Sequence, residues 1–166
     1  MMVAVPDPMA PSFFSGAISG EWITNAEGEG ERRDDGVIVG AGESYTFPWD
    51  ANDPRISGTA TIITNETDYR EGATALAPTG QAGTVRTGLI RIVNDEGSWE
   101  GPITNLQFGS PEFASTSGWL TGAGAYEGLS ALVVWSFPGD GTFYGHITAE
   151  GPPPTPELPV AQASTQ

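Results

Sequence analysis

The stretch Thr116 to Gly151, TSGWLTGAGAYEGLSALVVWSFPGDGTFYGHITAEG, decides the fold. It divides into a strand, a glycine turn, a long strand, a tight turn and a closing strand. Gly122, Gly124 and Gly128 permit a sharp reversal where a side chain would collide with the next strand. Leu129 to Phe137 is an apolar run of branched and aromatic residues, too short and too β-prone for a helix. Pro138-Gly139-Asp140-Gly141 ends it, and Thr142 to Glu150 returns as its hairpin partner.

Working back from this hairpin, Gly83 to Val93, Ser98 to Phe108 and Phe113 to Thr121 read as three consecutive strands joined by short turns. Upstream, strands are expected at Ser12 to Thr24, Val37 to Phe47 and Arg55 to Thr64. The acidic segment NAEGEGERRDDG between the first two reads as a solvated loop. Pro48 and the Asp50-Ala-Asn-Asp-Pro54 cluster are expected to stop the second strand. Asn65 to Ala82 lacks regular patterning and reads as a lid over an open end or an idle surface loop.

About eight sequential strands with hairpin connections and no crossover helix predict an all-β fold: a single antiparallel up-and-down β-barrel, calycin-like, with closure removing exposed edges. A two-sheet sandwich is the alternative architecture. The expected organisation is a flexible lead at 1–11, a barrel domain at 12–151 and a Pro-rich, disordered tail at 152–166. Helix signals are confined to Val160 to Gln166 and parts of 66–77, neither with a 3.6-residue apolar stripe.

Composition removes several function classes. Six Lys plus Arg against 21 Asp plus Glu give a formal charge of −15, which opposes binding to a nucleic-acid backbone or an anionic membrane. All six cations are arginine, so Schiff-base chemistry through a lysine amine is excluded. With no cysteine there is no disulfide, thiol nucleophile or Cys-based zinc site. The N-terminal MMVAVPDPMAPSFF has no basic region and its apolar run is broken by three prolines, so no signal peptide is read there. A soluble, cytoplasmic protein is the expectation. Asn65-Glu66-Thr67 matches a glycosylation acceptor, which needs a secretory route to matter.

The segment Gly122-Ala-Gly-Ala-Tyr-Glu-Gly128, set between two late strands, resembles the glycine-rich signature of the allene oxide cyclase and dirigent barrels. It covers about a fifth of the chain together with its flanking strands. The resemblance implies a cofactor-free barrel with a central hydrophobic cavity that guides closure of a reactive small molecule. The same scaffold type is used by bacterial cyclases of polyketide-derived chains, including Diels–Alder-type spirocyclases. Related barrels assemble as homodimers or homotrimers. No catalytic residue of those families is carried over.

The residues themselves leave few candidates for chemistry. A metal site would need carboxylates alone beside the single His146, and no spacing resembles a calcium loop. Gly40-Ala-Gly42 is not followed by a helix, so it is no dinucleotide fingerprint. Glu43 and Tyr45 share a strand face with Phe47, and Tyr144 and His146 share one on the closing strand. If these four pointed inward, a carboxylate, two phenols and an imidazole would be available to polarise a carbonyl or move one proton. The plainer alternative is that each faces solvent.

Arg86 and Arg91 lie on opposite faces of their strand, so only one can point inward, and a surface or ion-pair role is expected for either. Trp22, Phe47, Trp119, Tyr126 and Trp135 are the expected substrate-binding wall, with Trp49 at the rim. Two readings follow: a cofactor-independent cyclase or isomerase acting on a hydrophobic small molecule, or a lipocalin-like carrier that binds without converting. A packed barrel whose Pro-rich tail recruits partners is a third.

Overall fold

The computed structural model describes residues 7–69, 82–108, 114–136 and 141–156. Among these residues nine strands form one antiparallel sheet: β1 (Ser12–Ile18), β2 (Ile23–Arg32), β3 (Ile38–Ala51), β4 (Gly58–Tyr69), β5 (Gly83–Val93), β6 (Gly97–Phe108), β7 (Ala114–Gly124), β8 (Ser130–Trp135) and β9 (Thr142–Thr148). A 3-10 turn, Pro54–Ile56, links β3 to β4, and no α-helix occurs among the described residues. The order is β1-β9-β8-β7-β6-β5-β4-β3-β2, and β1 also pairs with β3 through Gly16↔Ala51 and Ile18↔Trp49. That second pairing closes the sheet into a barrel-like ring of eight strands, with β2 outside it. A two-sheet sandwich is therefore excluded.

The extra strand is the expected acidic loop, and this is a correction. Residues Ile23 to Arg32 pair with the first half of β3, while β1 pairs with its last residues, so the two share one edge. Nearly every position of β2 is exposed. Its charges face water on the free edge of the sheet, where they oppose pairing with another chain. A second correction concerns β3, which continues through Pro48 to Ala51. β4 likewise extends beyond Thr64 to Tyr69, taking in the first residues of the expected irregular segment. Residues 70–81, where that segment continues, and the C-terminal helix candidate lie outside the described residues.

Alternation fills the ring from inside. Ile90 and Ile92 of β5, Ala131, Val133 and Trp135 of β8, and Phe143 and Ile147 of β9 are all buried. Trp49, expected at the rim, is instead fully buried at the centre, stacked on Phe143 at 3.8 Å and edge-on to Trp135 at 5.5 Å. Its indole N–H has no hydrogen-bond partner among the described residues. Close strand approach needs Gly145, where a Cβ would overlap the Leu132 carbonyl oxygen and lie 2.5 Å from the Phe14 ring. At the glycine signature, Gly124 (φ 70) and Gly128 (φ 87) take left-handed conformations that turn β7 into β8.

One end of the ring is plugged. Tyr126, from the glycine signature, stacks on Trp99 at 5.2 Å and donates its hydroxyl to Asn94 at 2.9 Å. Trp99 in turn donates its indole N–H to the Arg55 carbonyl at 2.7 Å. Arg55 pairs with Asp53 at 2.7 Å and donates to the Pro8 and Ala10 carbonyls at 2.8 and 2.9 Å. The guanidinium thus ties the end of the N-terminal lead to the plug, and its hydrogen bonds hold the Asp53 carboxyl down at about 2. The cavity inside the ring lies at the other end.

Candidate functional site

That other end holds a cavity of about 320 Å³. Its placement begins in β3, where the register shifts between Gly40 and Glu43 and Gly42 adopts φ 80. A bulge of this kind inserts a residue and resets which side chains face inward. Val39 and Ala41, which share Glu43's odd-numbered phase, are exposed, while Glu43, Tyr45, Phe47 and Trp49 form the inner face.

Tyr45 donates its hydroxyl hydrogen to the Glu43 carboxylate. That bond, burial and the negative charges of Glu43 and Glu27 push the phenol up to about 12, outweighing the opposite pull of Arg86. Tyr45 is consequently a neutral phenol throughout the physiological range. Trp22, from the link between β1 and β2, stacks on Phe47 at 4.1 Å and meets Tyr45 edge-on at 5.8 Å. Trp22, Ile62, Ile103 and Trp135 supply the apolar walls.

The facing wall is polar and built by register. Glu66, Arg86, Asn105, Thr116 and Trp135 are successive partners across β4 to β8. Glu66 pairs with the Arg86 Nε at 3.0 Å. Arg86 Nη1 donates to Asn105 Oδ1 at 3.3 Å and to Gln107 Oε1 at 3.4 Å, and Asn105 Nδ2 donates to Thr116 Oγ1 at 2.8 Å. One ladder thus crosses four strands. Thr64, opposite Glu43 in the β3–β4 register, completes the lining.

Of the residues singled out from sequence, the cavity gathers Glu43, Tyr45, Trp22 and Trp135. Phe47 lies beneath, buried against Trp22. Tyr126 belongs to the plug at the opposite end. Tyr144, 60% exposed, and His146 lie on the outer wall, because Phe143, Gly145 and Ile147 take the inner positions of β9. His146 sits there between Phe13 at 5.8 Å and Trp119 at 5.4 Å, so Trp119 too is outside.

Sequence reasoning passed over Thr64, Glu66, Asn105 and Thr116 and expected a surface or ion-pair role for Arg86. Strand parity could have found the last, since Arg86 shares its phase with Ile90 and Ile92, whereas Arg91 is outside and paired with Glu100. No group of three or more His, Cys, Asp or Glu among the described residues could hold a metal ion. No described helix is long and apolar enough to cross a membrane.

No family model, curated protein or solved structure matches this chain.

Proposed function

We propose that the barrel binds a hydrophobic, polyketide-like small molecule in this cavity and promotes its cyclisation or isomerisation without a cofactor. The carrying observation is a carboxylate–phenol pair, Glu43 and Tyr45, set beside apolar walls in a cavity whose far end is plugged. The resemblance of the glycine turn to that of the allene oxide cyclase and dirigent barrels supports the same reading.

Most of the rate gain would come from holding a flexible chain in one reactive fold against Trp22, Ile62, Ile103 and Trp135. The Glu43 oxygen on Tyr45 is fixed by the hydrogen bond, and the carboxylate can take one proton from the substrate and return it to another position. Such a transfer changes bonding without changing mass. Tyr45, neutral and hydrogen-bonded, orients Glu43.

The test is to incubate the protein with a small-molecule extract of its native source and follow the solution and protein-bound fractions by mass spectrometry. Conversion of one compound to an isomer of equal mass supports a cyclase or isomerase. A compound retained unchanged makes the protein a carrier and removes the catalytic role of Glu43.

A further inference from the structure

The hydrogen-bond inventory of the cavity restricts the head group of its ligand, an inference that rests on the binding role proposed above. Thr116 is 3% exposed and its oxygen accepts from Asn105, while its own hydrogen has no acceptor among the described residues. The Thr64 side chain, in a residue 7% exposed, has no hydrogen-bond partner among them. Arg86 engages Nε with Glu66 and Nη1 with Asn105 and Gln107, which leaves Nη2 without a described partner. The polar wall therefore offers two hydroxyl hydrogens and a guanidinium N–H, all donors.

Charge decides which acceptor suits them. Glu66 and Arg86 cancel, so Glu43 leaves the cavity with a net charge of about −1. A carboxylate or other oxyanion would gain the donors but meet the Glu43 charge in a cavity of about 320 Å³. An ammonium would suit Glu43 but has no acceptor to offer the donor wall. An uncharged carbonyl uses the donors and is not repelled.

We infer that the ligand is an uncharged, carbonyl-bearing apolar chain whose carbonyl oxygen accepts from Thr116 and Arg86, which lie on one cross-strand line, while its hydrocarbon lies on Trp22 and Trp135. A neutral hydrogen bond in such a place is worth several-fold in affinity and a charge-assisted one tenfold or more.

The experiment titrates the full chain with three ten-carbon probes, 2-decanone, decanoate and decylammonium, read by tryptophan fluorescence and calorimetry. The expected order places 2-decanone about tenfold or more tighter than either ion. Thr116→Val, nearly isosteric, weakens 2-decanone about fivefold, and Arg86→Gln weakens it about tenfold, with circular dichroism of both variants unchanged. Tightest binding of decanoate, or of decylammonium, overturns the inference while leaving a small-molecule cavity in place. Equal binding of 2-decanone by wild type and Thr116→Val also overturns it. Binding of no probe overturns both the inference and the cavity's binding role. None of the probes needs to react, so a carrier and an enzyme give the same result here and separate only in the conversion assay.

Discussion

Tyr45 and Glu43, two residues apart on the inner face of β3, are joined by a hydrogen bond from the phenol to the carboxylate at the edge of the cavity. The proposed chemistry turns on this pair. Glu43→Gln keeps the shape and removes the base, and is expected to lower the conversion rate at least about a hundredfold. Tyr45→Phe frees the carboxylate from its orienting partner and is expected to cost about tenfold. Tyr144→Phe and His146→Gln, on the outer wall, are expected to leave the rate unchanged. Single-turnover kinetics of the four variants check this.

The same pair sets a spectroscopic expectation. The Tyr45 phenol is pushed from 10.0 to about 12, above its unfolded value, so it favours the folded state below about pH 10 and that contribution is lost as pH rises through about 12. Ultraviolet titration at alkaline pH should therefore show Tyr45 ionising late, and Glu43→Gln should move that transition down. An unchanged titration curve would contradict the hydrogen bond's role.

Asp53 gives the acid-side counterpart. Its carboxyl is held down at about 2 by Arg55, so its contribution is present above the unfolded pKa and is lost as pH falls from about 4 to about 2. Asp53→Asn should lower the melting temperature at pH 7 and reduce the further loss between pH 4 and 2. The effect is about 2 kcal/mol at most. Calorimetric melts of both proteins across that range measure it.

Gly145 tests the close packing of the ring. A Cβ there would overlap the Leu132 carbonyl, so Gly145→Ala must push β8 and β9 apart. A loss of about 1–3 kcal/mol is expected from urea melts. Gly42→Ala should also destabilise the fold, by a different cause, since nothing lies within 4 Å of its missing Cβ but its φ of 80 is strained for alanine.

The ring was legible where strands alternate cleanly. β5 to β9 were marked by branched and aromatic residues between glycine and proline turns; β5 has the expected limits, and the described limits of β6 to β9 lie within three residues of expectation. β2 was hidden because Ile23 to Arg32 carries its charges on an edge strand outside the ring, where pairing with β3 rather than burial specifies it. In the site, Glu43, Tyr45 and Trp22 stood out as reactive or aromatic groups. Asn105 and Thr116 did not, because they become a site only when β6 and β7 set them side by side. His146 drew notice as the lone imidazole, yet its parity with Tyr144 places it outside once Phe143 and Ile147 claim the core.

The most direct measurement blocks the cavity without touching Glu43 or Tyr45. Thr116→Phe places a ring against the Trp135 side of the space, and the wild-type and variant proteins are compared on the same extract by mass spectrometry. An equal-mass product is expected from the wild type and none from the variant, with both showing the same β-sheet circular dichroism. Equal conversion by the two proteins would contradict the assignment of this cavity as the reaction site.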